Sequence, residues 1–203
     1  MSCRLLAICG SLQRKSANRA ALDVAEAYLR RRGDVDIRYA DELAAIPAFN
    51  PELEANRGDA VDAFVEHIER SDVVMIATPE YAGAIAGALK NALDWLVGAG
   101  SLYGKPVVVL SAGTSGGVHA RRQLIQTVTW QGAHVVGDLA IAAPRTKSDY
   151  DGRFTDAATI ADIERLAQIA IDAPRLSGDD RLARVRDIVA GAGVELGHIA
   201  PVV

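Results

Sequence analysis

The sequence predicts a doubly wound α/β fold built on a five-stranded parallel sheet with a C-terminal helical extension. Two observations carry the fold class. Short apolar runs recur along the chain, and each is followed by a stretch with apolar residues at helical spacing. All but one of these runs are continuous rather than alternating, as in strands covered by helices on both faces. Size agrees: 203 residues, 50% hydrophobic and 24% charged, suit one well-buried core and not a disordered chain.

Taken in order, Leu5-Leu6-Ala7-Ile8-Cys9 is the first strand. Asn18 to Arg32 follows as a helix with Leu22, Ala25 and Leu29 on one stripe. Val35, Ile37 and Tyr39 alternate with Asp36 and Arg38, the period of a half-exposed edge strand. A polar stretch with Pro47 and Pro51 leads to Val61, Phe64, Val65 and Ile68, an amphipathic helix. Val73 to Ala77 is the third strand, and Ile85, Leu89, Ala92, Leu93 and Leu96 predict the next helix. Gly104-Lys105-Pro106 introduces Val107 to Leu110 as the fourth strand. Leu124 and Val128 mark a helix, His134 to Ile141 the fifth strand, and Ile160, Ile163, Leu166, Ala167 and Ala170 the last core helix. With right-handed crossovers, the expected strand order is 2-1-3-4-5, the flavodoxin-like arrangement. This domain is expected over residues 1–172. The tail, 173–203, is read as an extension and not a separate domain. In it, Leu182, Val185, Ile188 and Val189 line a short helix that Gly191, Gly193 and Gly197 break. That helix packs on the domain's own surface in the simpler reading and on a partner subunit in the alternative.

Composition excludes several functions. A net charge of −4 argues against a basic nucleic-acid footprint. No apolar stretch reaches the ~18 residues of a membrane span. Met1-Ser2-Cys3-Arg4 runs straight into the first strand, so no signal peptide is read. The 2 cysteines, Cys3 and Cys9, form neither a disulfide framework nor a zinc ligand set. A reducing, cytoplasmic location is therefore expected.

Ligands of open parallel sheets bind outside the carboxyl ends of the strands. The loops leaving strands one, three and four emerge there. The first, Gly10 to Asn18, brings Ser11, Gln13, Arg14, Lys15, Ser16 and Asn18 to a helix N-terminus. Unpaired N–H groups and the positive dipole end favour a phosphate there, and the hydroxyls and amide add donors. Capping of the helix by Ser16 or Asn18 explains the same residues without a ligand. The glycines of a Walker A or dinucleotide loop are absent. The second loop is Thr78-Pro79-Glu80-Tyr81-Ala82-Gly83, stiffened by Pro79, with Tyr81 offering a flat face. The third, Ser111 to Gly117, exposes backbone amides suited to a heterocycle edge or an anion. One phosphate-like loop and two suited to a flat ring, on one rim, point to a mononucleotide.

These residues carry a resemblance. Gly10-Ser11 through Ser16-Ala17-Asn18-Arg19 resembles the GSxRxxSxNR signature of the NADPH-dependent FMN reductase family. Pro79-Glu80-Tyr81-Ala82-Gly83, with Gly87-Ala88-Leu89-Lys90-Asn91-Ala92-Leu93-Asp94-Trp95-Leu96, is similar to its PEYNGSxPGxLKNAxDWL. Gly104-Lys105-Pro106 and the Gly113 to Gly117 loop match its third element. The resemblance spans about Arg4 to Ile171 and implies a flavodoxin-like fold holding FMN non-covalently. It also implies NADPH or NADH as co-substrate, a small electron acceptor such as flavin, quinone, azo dye or metal oxyanion, and a homodimer or homotetramer. By the same resemblance Ser11, Ser16 and Asn18 hold the FMN phosphate, with Gln13 and Ala17 in the same loop. Pro79, Glu80 and Tyr81 flank the isoalloxazine, beside Ala82 and Gly83. Ser111 and backbone groups of Gly113, Thr114, Ser115, Gly116 and Gly117 meet its pyrimidine end.

Two positions depart from the pattern. Gln13 stands where the signature has arginine, which lowers the expected phosphate affinity unless neighbouring Arg14 compensates. Ala82 replaces an asparagine and would widen the acceptor site. A flavin carries the redox chemistry itself, so no catalytic side chain or metal is expected. Among the histidines, His67, His134 and His198 read as structural or exposed, and His119 either does the same or approaches the flavin. Cys9 reads as an inert buried thiol. Asp94 and Trp95 read as core or capping support, with a subunit contact as the family's alternative. Two other functions stay open. A flavodoxin-like electron carrier would lack its own NAD(P)H turnover, and its usual strongly acidic surface is not seen here. A flavin-free binding module could also keep this fold, and Gln13 leaves that reading open.

Overall fold

The computed structural model describes residues 2–195. In chain order the elements are β1 (Cys3–Cys9), α1 (Ala17–Arg32), β2 (Val35–Tyr39), α2 (Asp59–Arg70) and β3 (Val73–Ala77). Then come β4 (Glu80–Tyr81), β5 (Ala84–Ile85), α3 (Gly87–Asp94), β6 (Pro106–Gly113), α4 (Val118–Trp130) and β7 (His134–Ala142). The chain continues through α5 (Ala157–Asp172) to α6 (Gly178–Gly191). Five strands make one sheet, β2-β1-β3-β6-β7, with every pairing parallel. Leaving out the small β4–β5 hairpin, this is the expected 2-1-3-4-5 order. Helices α1 and α5 pack together across β3 and β6, while α2 meets β1 and α4 meets β6 and β7.

Local chemistry explains the element ends. The Ser16 hydroxyl caps α1, accepting the Asn18 N–H, and Arg30, Arg31 and Arg32 sit at the negative end of the helix dipole. Strands β3 and β6 are buried along almost their whole length, which is why their sequences do not alternate. Strand β2 is an edge, and its alternation follows from that position. The side chains of Leu5, Leu6, Ile8, Leu22, Phe64, Met75 and Leu93 fill a continuous core.

Three expectations need correction. Ile85 lies in β5, not in the helix that follows, because a tight turn at Ala82-Gly83 folds the second loop into a hairpin. Leu96 lies in the turn beyond the end of α3. The third loop starts later than expected, since Ser111, Ala112 and Gly113 still pair with β7 as part of β6. The subunit anchor considered for Trp95 is excluded by burial: the residue is 2% exposed. Its indole N–H donates to the Pro47 carbonyl at 2.9 Å, and its ring meets Phe49 edge-on at 5.1 Å. Asp94 pairs with Lys90 one helical turn back.

Helix α6 packs against β7, the outermost strand on its side, with Val185 and Val189 fully buried. The Arg122 guanidinium fastens its end by donating to the Gly193 carbonyl at 2.8 Å. The tail helix therefore covers the chain's own surface. Gly197 and His198, named above, lie outside the described residues.

Candidate functional site

The carboxyl ends of the sheet strands open into a cavity of about 500 Å³, within the ~300–1,000 Å³ range of small-molecule sites. Its wall includes Ser11, Gln13, Ser16, Ala17 and Asn18 from the first loop, Pro79, Glu80 and Tyr81 from the second, and Gly113 and Thr114 from the third. The structure thus brings residues of all three loops to one place. It leaves Ala82, Gly83, Ser111, Ser115 and Gly116 off the wall. Another cleft, about 320 Å³, runs between β2 and the end of α2 and is lined by Arg4, Asp36, Arg38 and His67. It lies away from the loops at the strands' carboxyl ends.

A fourth wall was not read from the sequence. The turn after β7 contributes Pro144, Arg145, Ser148, Asp149, Tyr150, Asp151 and Gly152. It is built, not loose. Ser148 bridges to Phe154, the Asp149 N–H donates to the Arg153 carbonyl at 2.8 Å, and Phe154 is buried as its anchor. Tyr150 stands fully exposed at the tip. Two sequence signals mark this segment. It is a long connection at the same end of the sheet as the other loops, and it carries an aromatic beside a Gly turn.

At the first loop, the Ser16 hydroxyl accepts the Asn18 N–H at 3.2 Å, and the Ser11 hydroxyl accepts the Gln13 N–H at 3.3 Å. Both hydroxyl hydrogens stay available to an acceptor. So do first-turn N–H groups of α1 that no helix carbonyl reaches. Asn18 has a different position from its neighbours. It is 2% exposed, and its side chain donates to the Ala112 carbonyl at 3.1 Å while accepting the Ala112 N–H at 2.9 Å. Strand β3 pairs with β6 only as far as Leu110, so Asn18 supplies the next rung of the ladder.

The second loop is tied into the scaffold in a similar way. The Glu80 carboxylate accepts the N–H groups of His119 (2.7 Å) and Ala120 (3.0 Å), capping α4. This bond ties the second loop to the end of the third. His119 contributes its backbone to that cap, while its side chain is exposed and absent from the cavity wall.

Ala82 and Gly83 both have positive φ, +51° and +73°, as the two central residues of a type I′ turn require. Alanine is strained there and asparagine is not, which gives the asparagine of the family pattern a backbone reason. Ala82→Asn is expected to stabilise the protein by roughly 0.5–1 kcal/mol, as a right-shifted urea transition would show.

The third loop is held from below. A Cβ at Gly117 would fall 2.0 Å from the Ser111 hydroxyl, so only glycine fits over that buried side chain. Arg121 donates to the Gly116 carbonyl at 3.2 Å and pairs with Asp138 of β7. Burial pushes the Asp138 carboxyl above the usual carboxylate range, against the pull of Arg121. Gln13 is exposed, and Arg14, the cation expected to compensate for it, is not on the cavity wall but lines an adjoining cleft that shares Ser11 and Gln13 with it. Cys9 is half-buried and donates to the Ser11 carbonyl; burial pushes its thiol up, away from reactivity. Among the described residues no cluster of His, Cys, Asp and Glu could hold a metal ion.

The donor set fits a flavin mononucleotide. Hydroxyls and free amides at a helix N-terminus suit a phosphate, and the Tyr81 hairpin and the β6 end leave a slot for a flat ring. No helix among the described residues is long and apolar enough to cross a membrane.

Comparison with known proteins agrees. The profile of the NADPH-dependent FMN reductase family matches residues 3–147. An NAD(P)H-dependent FMN reductase of Pseudomonas aeruginosa is 35% identical over 160 residues, covering 75% of this chain and 85% of that protein. A probable NADPH:quinone oxidoreductase of Oryza sativa subsp. japonica is 36% identical over 169 residues, covering 76% of this chain and 83% of that protein. The structure is similar in fold to FerB, a flavoenzyme NAD(P)H:(acceptor) oxidoreductase from Paracoccus denitrificans. The TM-score is 0.69 at 24% identity, over 85% of this chain and 97% of the other. The chain belongs to the NADPH-dependent FMN reductase family.

Proposed function

We propose that the protein is an FMN-dependent NAD(P)H oxidoreductase that passes reducing equivalents to a small acceptor such as free flavin or a quinone. The observation that carries this is the convergence of an α1 N-terminus, a Tyr81 hairpin and the Gly113-Thr114 turn on one cavity. The names of the relatives, an FMN reductase and a quinone oxidoreductase, support both acceptor classes. When bound, FMN supplies the hydride chemistry between nicotinamide and acceptor.

The chain's own residues bind and orient. Ser11 and Ser16 donate hydroxyl hydrogens to the phosphate, joined by amides of Ala17 and its neighbours in the first turn of α1. Pro79 and Tyr81 bound the ring on one side. Gly113 and Thr114 present backbone groups to its pyrimidine edge, with Ser115 and Gly116 completing that turn. Ala82 and Gly83 set the angle of the hairpin that carries Tyr81. Asn18, Glu80 and Ser111 act one layer out, by holding these loops in register. Positioning is the protein's main contribution to rate. A cytoplasmic homodimer or homotetramer remains the working assembly.

Steady-state oxidation of NADPH by holoprotein with a quinone acceptor tests the reading. Turnover without any partner reductase is expected; a holoprotein that is reduced only by a second flavoenzyme would be an electron carrier instead. In binding, Ser16→Ala is expected to weaken FMN about tenfold while leaving riboflavin nearly unchanged, because riboflavin has no phosphate to accept the lost hydrogen bond. Fluorescence titration with both flavins measures this, and equal losses would contradict the phosphate assignment.

A further inference from the structure

Two side chains on the cavity wall carry the charge that Gln13 does not supply to the first loop. Three carboxylates line the cavity, and each is engaged within the chain. Glu80 caps α4. Asp149 accepts the Arg153 N–H at 2.8 Å, and Asp151 faces the Arg153 guanidinium at 3.9 Å. Two cations line the same wall, Lys15 and Arg145, and among the described residues neither has a hydrogen bond or ion pair. Lys15 and Arg145 are therefore the two cations of this wall left without a partner among the described residues, in the same cavity as the N-terminus of α1.

Arg145 is presented on a fixed support. It lies in a short 3-10 turn, Pro144–Lys147, whose preceding residue is bonded to the third loop. The Ala143 N–H is shared between the carbonyls of Gly113 (3.1 Å) and Thr114 (3.3 Å). Ala143 itself holds φ +49°, a conformation alanine adopts only under constraint. The Thr146 N–H and hydroxyl both return to the Ala143 carbonyl, tightening the turn.

We propose that Arg145, assisted by Lys15, supplies the cationic contact to the bound phosphate that Gln13 does not. The ligand group is a phosphate monoester dianion seated between the first turn of α1 and the 144–147 turn. Arg145 comes to the same cavity from a segment far from the phosphate loop in sequence. The proposal rests on the flavin reading above and deepens it. Two molecules in the reaction can carry such a group: FMN at its 5′ position and NADPH at its 2′ position. The α1 N-terminus and the Ser16 hydroxyl share the cavity with Arg145, which assigns the group to FMN.

Equilibrium titrations of apo-protein with FMN and with riboflavin test it. Arg145→Gln is expected to weaken FMN about tenfold and Lys15→Gln less, both leaving riboflavin unchanged. Loss of the charge should also flatten the dependence of FMN affinity on salt. Adding Gln13→Arg to the Arg145→Gln variant should restore FMN affinity, because the charge returns at the family's position. An Arg145→Gln variant that binds FMN like wild type, or that loses FMN and riboflavin equally, overturns the proposal. So does one that raises KM for NADPH and not for NADH while FMN affinity stands, since the guanidinium would then serve the coenzyme. A wild-type apo-protein that binds neither flavin is a different failure: it removes the flavin reading itself.

Discussion

Asn18→Ala is expected to cost roughly 2–6 kcal/mol of folding stability and to weaken FMN and riboflavin alike. The side chain is 2% exposed and makes two hydrogen bonds to one residue, Ala112, across the top of the sheet. Truncation strands the Ala112 N–H and carbonyl where β3 no longer runs beside β6. A buried polar group left without a partner costs about 1–3 kcal/mol, and here there are two. The cavity wall at Ala112 and Gly113 would then lose its register with the first loop. Asn18→Asp is a sharper control. It keeps the acceptor for the Ala112 N–H but sets a carboxylate oxygen against the Ala112 carbonyl, so it too should be destabilised. Urea unfolding followed by circular dichroism gives the stability, and paired flavin titrations give the binding. A variant with wild-type stability that loses FMN alone would make Asn18 a direct phosphate ligand instead.

Arg121→Leu is expected to cost about 3–5 kcal/mol, the usual penalty for removing one partner of a buried ion pair. Arg121 and Asp138 are both mostly buried, and the same guanidinium holds the Gly116 carbonyl. The loss should depend on pH. Burial already raises the Asp138 carboxyl above its unfolded value, so the folded state binds its proton more tightly than the unfolded chain does. A group of this kind favours folding below its unfolded value and disfavours it as pH rises through the folded one. Without Arg121 the folded value climbs further. The variant should therefore be closest to wild type at acidic pH, where the Asp138 carboxyl is protonated in both, and furthest from it at higher pH, where the carboxylate forms. Removing both charges, as Arg121→Leu with Asp138→Leu, should recover much of the stability, because the buried carboxylate goes with its partner. Thermal unfolding from acidic to higher pH checks both statements.

The fold was legible because apolar periodicity reports burial directly. Val73 to Ala77 reads as a covered strand because it is one, and Val35 to Tyr39 alternates because β2 is an edge. The rim loops were legible for the same reason: once strands and helices are placed, the turns between them fall at one end of the sheet. Long-range side-chain partners were not. Nothing local in Gly10 to Asn18 says that the Asn18 amide reaches Ala112, 94 residues on. Nothing in the second loop says that Glu80 caps a helix about 40 residues away. Both side chains sit at the site, but their bonds run into the scaffold. Ala82 was read for its missing side chain, whereas its consequence lies in the backbone, at φ +51°. The Tyr150 turn was passed over because its apolar anchor, Phe154, is a single residue with no period to reveal it.

These features describe one site, prearranged by cross-links between its loops. Asn18 ties the first loop to β6, Glu80 ties the second to α4, and Arg121 ties the third to β7. Such bonds fix the loops before ligand arrives, so less ordering remains to be done on binding. The most direct measurement is a fluorescence titration of apo-protein into FMN at low concentration. The account predicts saturable quenching that reaches its limit at about one FMN per chain. Flavin emission that stays undiminished as folded protein is added in excess would contradict it.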